Sequence, residues 1–243
     1  MMRALLLIVL LVAGCATAPP PPGPSGEFPN ESLTVGRVKR DYRLYVPPSA
    51  NTGKPAPLVV AFHGMLVDSK DVMPRYTHLN ETAERHGFII AYPNALFGAW
   101  GLLPNRIDDD LKMFDALLAK ISAAYRVDPK RIYVLGMSNG GYFAHVVARE
   151  RPNVVAAVAA HSGALGLETL GGVNAARKFP VMIVHGGQDW IFGPWIAREN
   201  AEKYKREGHE VEYVELPNLG HAWASGADIN EKIWQFFAAH PRA

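Results

Sequence analysis

The sequence predicts an α/β domain with a mostly parallel central sheet and helices on both of its faces. Short, continuous apolar runs rich in Val and Ile are closed by Gly or Pro, which suits strands buried on both faces of a parallel sheet. Amphipathic stretches separate these runs, and such alternation builds parallel sheets through right-handed crossovers. The chain has 243 residues, 49% of them hydrophobic and 20% charged, which is enough to bury a core of this kind.

The predicted elements alternate regularly along the chain. An early strand at the edge of the sheet is expected over 40–47, and a last strand precedes Gly220. The buried strands between them are expected over 57–64, 87–93, 131–136, 154–163 and 180–186. The helices are expected over 71–86, 108–126, 140–150, 194–207 and 228–239. Ligands of such sheets bind at the carboxyl ends of the strands, so we expect the functional residues in the loops that follow them.

The chain opens with MMRALLLIVLLVAGCATA, which has the pattern of an export signal. A cationic Arg3 precedes an apolar run over 4–13 that is too short to span a bilayer. The segment VAGC resembles the bacterial lipobox, where a peptidase cuts before a cysteine that carries lipid. We therefore expect a lipoprotein signal peptide over 1–14 and membrane attachment through lipid on Cys15. Ala16 favours the outer membrane, on its periplasmic or surface face, and secretion is the alternative.

The rest of the chain divides into a tether and one domain. Proline and small residues over 15–32 favour an extended, hydrated chain, and the domain is expected over 33–243. The formal net charge of +2, with scattered Lys and Arg, excludes a nucleic-acid surface. Cys15 is the only cysteine, so no intrachain disulfide is expected. The oligomeric state is left open.

A lone hydroxyl stands where a buried strand changes into a helix. In RIYVLGMSNGGY, Ser138 has Gly136 two residues before it and Gly140 two after it, which is the pattern G-x-S-x-G. A serine lifted above the sheet edge by a strained turn leaves no room for side chains at these two positions. The turn also aims the first N–H groups of the helix at a developing negative charge. We predict that Ser138 is a nucleophile.

An acid and a base are expected to follow the serine in that order. Only two aspartates lie beyond Ser138, and Asp189 comes shortly after a buried strand, whereas Asp228 begins the final helix and is interpreted as its cap. His221 follows the last strand directly, with Gly220 to let the loop turn. We predict that Asp189 is the acid and His221 the base.

The loop after an earlier strand, VVAFHGML, is expected to complete an oxyanion hole. We assign this hole to the backbone N–H groups of Met65 and Asn139, and we expect His63 to order the loop through hydrogen bonds. His63, His161 and His185 each end a strand, but no pair has helical spacing and no acid accompanies them. A metal site is therefore not expected, and neither is an organic cofactor.

Several blocks occur in the order found in one family. HGM, GFIIAYPN, VDPKRIYVLGMSNGGY, IVHGGQD and GHAW together resemble the bacterial feruloyl esterase and polyhydroxybutyrate depolymerase-like group of α/β-hydrolases. The likeness covers about 33–240 and implies an α/β-hydrolase fold. Carried over by position, the family's nucleophile, acid and base fall on Ser138, Asp189 and His221, in agreement with the spacing.

Two features of this resemblance concern other residues. Asp109 and Asp110 match paired acids of the group and are interpreted as charges near a helix N-terminus, stabilised by its dipole. Where the family loop often carries a cysteine or extra glycines, this chain has Met65, Leu66 and Val67, which predicts a narrower, more apolar mouth.

The aromatic candidates for a pocket at the same edge are Trp100, Trp190, Trp223 and Tyr142.

These residues predict a serine esterase. Its substrates would be small-molecule or oligomeric esters, of feruloyl, short acyl or hydroxyalkanoate type, hydrolysed through an acyl-enzyme. Two alternatives stay open: a serine peptidase of the same fold, and a catalytically inactive, lipid-anchored binding protein.

Overall fold

The computed structural model describes residues 23–65, 69–224 and 228–243. The predicted signal peptide over 1–14 and the predicted lipid site at Cys15 lie outside these residues. The strands are β1 (Gly26–Val35), β2 (Val38–Val46), β3 (Ala56–Phe62), β4 (Ile89–Pro93), β5 (Val127–Met137), β6 (Ala157–His161), β7 (Val181–Gly186) and β8 (Val211–Leu216). The helices are α1 (Met73–Thr77), α2 (Leu79–His86), α3 (Pro104–Ala124), α4 (Asn139–Glu150), α5 (Pro194–Arg206) and α6 (Ile229–Ala239).

The eight strands form one sheet in the order β1-β2-β4-β3-β5-β6-β7-β8. β2 is antiparallel to both of its neighbours, β1 and β4. All the other pairs are parallel, from β4 with β3 through to β7 with β8. The prediction of a mostly parallel α/β sheet is therefore confirmed, and the carboxyl ends of β3 to β8 share one edge.

Helices cover both faces of the sheet, as predicted. Along β3, Leu58, Val60 and Phe62 belong to one core, while Val59 and Ala61 belong to the other. This alternation places every second side chain on the opposite face. α3, α4 and α5 pack on the first core, and α1, α2 and α6 pack on the second. Within the described part of the chain, no helix is long and apolar enough to cross a membrane.

The first strand begins before the predicted boundary between tether and domain. The tether was expected over 15–32, but β1 begins at Gly26 and pairs with β2 along its length. β2, expected at the edge, is therefore the second strand of the sheet. β1 is an edge strand whose side chains are mostly half-buried or exposed, with Leu33 as its buried residue, so it lacks the apolar run of the inner strands.

The helix predicted over 71–86 is two helices. His78 separates α1 from α2 and adopts a left-handed conformation with φ of 56°. The pattern of apolar residues continues across this break, because both α1 and α2 pack on the same core. Periodicity therefore showed the covered face of the segment and could not show the change in its direction.

Asp110 has a role that the sequence did not indicate. α3 begins at Pro104, so Asp110 lies in the second turn of the helix and is not one of its N-terminal charges. Its Oδ1 lies 2.7 Å from Arg40 Nη2, and both side chains are at most 2% exposed. Its Oδ2 accepts a hydrogen bond from Gly101 N–H at 2.8 Å. Asp110 thus joins β2, α3 and the loop before α3.

Candidate active site

Ser138 lies between the end of β5 and the start of α4, at the carboxyl edge of the sheet. Its backbone has φ of 56° and ψ of −120°, a strained conformation for a residue with a side chain. A Cβ at Gly136 would lie 2.2 Å from Gly140 O, and a Cβ at Gly140 would lie 2.1 Å from Phe62 O. The turn that presents Ser138 therefore requires glycine on both sides, as predicted.

The three predicted side chains form a continuous row of hydrogen bonds. His221 Nε2 lies 2.9 Å from Ser138 Oγ, and His221 Nδ1 lies 2.8 Å from Asp189 Oδ2. A carboxylate only accepts hydrogen bonds, so Nδ1 of His221 carries the proton and donates it. Nε2 of the neutral ring is then free to accept from the serine hydroxyl. This arrangement is that of a nucleophile, a base and an orienting acid.

The turn that follows Asp189 fixes the position of its carboxylate. Its Oδ1 accepts N–H bonds from Ile191 at 3.0 Å and from Phe192 at 2.9 Å, and its side chain is fully buried. Burial alone would raise the pKa of Asp189, but the Phe192 N–H, the contact with His221 and the Ile191 N–H outweigh burial and hold the pKa below its usual value. The side chain is therefore a carboxylate at neutral pH.

The loop that carries His221 is fixed by the residues just after it. Trp223 N–H donates to the hydroxyl of Tyr76 at 2.7 Å, and Ala224 N–H donates to His161 Nε2 at 3.2 Å. The rings of His161 and Trp223 are stacked with centroids 4.7 Å apart. These contacts join the loop to α1 and to the end of β6. Nothing in the sequence pattern singled out Tyr76, which is distant from His221 along the chain.

His161 is a neutral, buried acceptor. Burial, followed by the nearby His185 and His221, lowers the pKa of His161 to about 3. Because Nε2 accepts from Ala224 N–H, the ring proton sits on Nδ1, 3.2 Å from the hydroxyl of Ser162. Protonation of Nε2 would remove the acceptor that holds the loop of His221.

The other two strand-end histidines make hydrogen bonds within their own regions. His63 Nε2 accepts from Ala95 N–H at 3.0 Å, which links the loop after β3 to the loop after β4. His185 Nε2 donates to Phe192 O at 2.7 Å and lies 3.5 Å from Asp189 Oδ2. In the part of the chain that the structure describes, no group of three or more His, Cys, Asp or Glu side chains is arranged to hold a metal ion.

A cleft of about 740 Å³ opens over Ser138 and His221. Met65 and Asn139, the residues predicted to supply the oxyanion hole, both line it, and that role stays a prediction. Asn139 uses its side chain elsewhere, since its Oδ1 accepts from Trp100 N–H at 2.7 Å. The apolar side chains of the lining are Met65, Leu102, Met137, Ala164, Leu165, Leu167, Ile191 and Phe192.

The four aromatic residues predicted to line a pocket differ in location and burial. Tyr142 lines the cleft, whereas Trp100 and Trp223 are buried in the two cores and Trp190 is 82% exposed. Large apolar side chains are exposed in the segments that follow β3, β4, β6 and β7, at the edge where the cleft opens: Met65, Phe97, Leu102, Leu103, Leu167, Leu170, Trp190, Ile191 and Trp195. Apolar side chains therefore surround the opening of the cleft, whereas the predicted narrower, more apolar mouth stays a prediction because Leu66 and Val67 lie outside the described residues.

Relatives of the chain include esterases. The chain is 29% identical over 176 residues to the bifunctional acetylxylan esterase/xylanase XynS20E of Neocallimastix patriciarum, covering 70% of this chain and 24% of that protein. It is 31% identical over 150 residues to feruloyl esterase B of Piromyces equi, covering 58% of this chain and 28% of that protein. The chain thus matches only about a quarter of the length of these relatives.

A solved structure shares the fold. The ferulic acid esterase of Anaeromyces mucronatus, solved in complex with ferulic acid, superposes with a TM-score of 0.69 at 16% identity, covering 89% of this chain and 90% of that one. The feruloyl esterases among the sequence relatives support that part of the predicted resemblance, and none of these relatives specifically supports the polyhydroxybutyrate depolymerase part. The dienelactone hydrolase family model matches residues 91–237, which is more than half of the chain and spans Ser138, Asp189 and His221. The chain belongs to the dienelactone hydrolase family, with the α/β-hydrolase fold.

Proposed function

We propose that this protein is a serine esterase that hydrolyses carboxylic esters through an acyl-enzyme intermediate. The observation that carries the proposal is the row of hydrogen bonds from Ser138 through His221 to the buried Asp189, at the floor of an apolar cleft. Membership of the family and the esterase relatives support it. No observation favours the peptidase or the inactive binding protein.

The acylation step follows from the geometry. Ser138 Oγ attacks the carbonyl carbon of the ester while its proton passes to His221 Nε2, 2.9 Å away. Asp189 stabilises the imidazolium that forms and keeps the ring in its orientation. The tetrahedral intermediate carries its negative charge on the former carbonyl oxygen, for which the N–H groups of Met65 and Asn139 are the proposed donors. His221 then protonates the leaving alcohol, and the acyl group stays on Ser138.

Deacylation repeats these steps with water. His221 Nε2 accepts a proton from water as the water oxygen attacks the acyl carbon, and the same proton returns to Ser138 Oγ when the acid leaves. We propose feruloyl or short acyl esters as substrates, because the cleft is apolar and because feruloyl esterases occur among the relatives.

The test of this function uses Ser138→Ala beside Ser122→Ala, which changes an exposed serine on α3. A fluorophosphonate probe is expected to label the parent protein and Ser122→Ala, but not Ser138→Ala. Turnover of 4-nitrophenyl acetate and methyl ferulate is expected to fall at least about 10³-fold in Ser138→Ala alone, because the nucleophile is gone. A folded parent protein that takes no label would favour the inactive binding protein.

We also propose that the protein is exported and anchored to a bacterial outer membrane through lipid on Cys15, with secretion as the alternative. The support is the apolar run over 4–13 and the VAGC segment. Cys15→Ser is expected to move the protein from the membrane fraction to the soluble fraction when the full chain is expressed in a double-membraned bacterium. An unchanged membrane fraction would contradict the lipid anchor.

A further inference from the structure

Among the described residues that line the catalytic cleft, Glu168 is the single acidic or basic side chain besides His221 of the triad. Its side chain is 24% exposed, and its nearest cation among the described residues is Arg149, whose Nη1 lies 3.8 Å from Glu168 Oε1. Arg149 is already engaged, because its Nε and Nη2 lie 2.9 Å and 2.8 Å from Glu150 Oε1. Glu168 therefore has unused capacity to accept hydrogen bonds at the wall of an apolar cleft.

Tyr142 also lines the cleft, and its hydroxyl oxygen is buried. It lies one turn after Ser138 on α4, and its backbone N–H donates to Ser138 O at 3.0 Å. The residue is 6% exposed, and its hydroxyl has no hydrogen-bond partner among the described residues. Burial, and next the charge of Glu168, raise the pKa of Tyr142, so the hydroxyl keeps its proton at neutral pH and remains a donor.

The side chains of Tyr142 and Glu168 meet at Gly166. Both side chains approach Gly166: a Cβ at this glycine would lie 2.2 Å from Glu168 Oε2 and 2.4 Å from Tyr142 Cε2, the ring carbon next to the one that bears the hydroxyl. Glycine at this position thus allows a carboxylate and a tyrosine ring to occupy the same corner of the cleft. The unpaired hydroxyl of Tyr142 and the carboxylate of Glu168 therefore belong to neighbouring side chains of the cleft.

We propose that Tyr142 and Glu168 form a subsite that binds a hydroxyl group of the ester substrate. The substrate hydroxyl donates its proton to the carboxylate of Glu168 and accepts the proton of the Tyr142 hydroxyl. This inference rests on the proposed esterase function and names its substrates more closely: apolar esters that carry a phenolic or alcoholic hydroxyl distant from the scissile bond. A ligand ammonium group fits less well, because it would satisfy Glu168 and leave the Tyr142 donor facing another donor.

Selectivity follows from the cost of leaving polar groups unpaired. A site that pairs buried polar groups with a substrate hydroxyl rejects the analogue that lacks it, because the same groups then stay unsatisfied in an apolar cleft. The experiment therefore compares kcat/KM within pairs of esters that differ only in one hydroxyl. One pair, methyl 4-hydroxycinnamate and methyl cinnamate, places the hydroxyl in the acyl half. The other, 4-hydroxyphenethyl acetate and phenethyl acetate, places it in the alcohol half.

The parent protein is expected to prefer the hydroxylated member of at least one pair by about 10-fold or more. In that pair, the ratio of the two kcat/KM values is expected to fall about 5-fold in Tyr142→Phe and about 10-fold in Glu168→Ala. The ratio cancels changes that affect both esters equally, such as a general loss of rate or of folded protein. It therefore reports recognition of the hydroxyl alone.

Each variant has a matched control. Tyr133→Phe removes another buried hydroxyl without a partner, on β5 in the opposite core, and Glu150→Ala removes the other carboxylate that contacts Arg149. Both controls are expected to keep the parental ratio. The subsite is overturned by a parental ratio near one in both pairs, by ratios that do not change in Tyr142→Phe and Glu168→Ala, or by equal changes in the controls.

A third ester separates hydroxyl recognition from cation recognition. If methyl 4-(aminomethyl)cinnamate is preferred over methyl 4-hydroxycinnamate and only Glu168→Ala removes that preference, the subsite binds cations and the hydroxyl proposal is wrong. Failure of the parent protein to hydrolyse any of these esters, together with an unlabelled Ser138, would overturn the esterase function and the subsite with it. Hydrolysis without hydroxyl selectivity would overturn the subsite alone.

Discussion

Replacing Asp189 with asparagine is expected to lower kcat for ester hydrolysis by about 10⁴-fold. The amide oxygen of asparagine can replace Oδ1 as the acceptor of the Ile191 and Phe192 N–H groups, so the hydrogen bonds of the turn are kept. The amide nitrogen then takes the place of Oδ2 and points an N–H group at His221 Nδ1. Nδ1 must become the acceptor, and the ring proton moves to Nε2. His221 can then no longer take the proton of Ser138.

Asp228→Asn is the matched control for this change. Asp228 is the other aspartate beyond Ser138, and it stands at the N-cap position of α6 without a side-chain capping hydrogen bond. We expect its kcat to equal that of the parent protein. Steady-state rates with 4-nitrophenyl acetate measure both variants. A folded Asp189→Asn protein with more than about a tenth of the parental kcat would show that Asp189 does not set the state of His221.

The inner strands of the sheet were predictable, because burial on both faces requires a continuous run of apolar residues. β3, β4, β6 and β7 are continuous buried runs, and each lies inside or within a residue of its predicted span. The order of nucleophile, acid and base was also predictable. Parallel strands bring their carboxyl ends to one edge, so residues after β5, β7 and β8 had to be neighbours in space.

Features that depend on pairing between distant side chains were not predictable. β1 pairs by backbone hydrogen bonds at the sheet edge, so its sequence carries little apolar pattern. The ion pair of Arg40 and Asp110 joins β2 to α3. In the sequence, each of these charged residues by itself looks like an ordinary surface residue. Glu168 likewise lies in the loop that follows β6, and only the fold shows that it reaches the cleft. In each case the partner, and not the local sequence, determines the role.

Replacing Gly140 with alanine is expected to destabilise the fold by at least about 3 kcal/mol, more than most single substitutions. The added Cβ would lie 2.1 Å from Phe62 O and 2.4 Å from His63 O, both backbone atoms at the end of β3. Backbone atoms of an inner strand cannot rotate away as a side chain can, so either α4 or β3 must move. Such movement would also displace Ser138 and the loop of Met65, so ester turnover is expected to fall as well.

Gly171→Ala is the control that separates this clash from the general effect of adding a methyl group. A Cβ at Gly171 would meet nothing within 4 Å, and its φ is not in the left-handed region. Its free energy of unfolding is expected to stay within about 0.5 kcal/mol of the parent protein, or to rise slightly as the unfolded chain loses freedom. Urea unfolding of both variants measures the difference. If Gly140→Ala proves as stable as Gly171→Ala, the close packing of α4 on β3 is not the reason that position 140 must be glycine. Other contacts must then hold the strained turn at Ser138.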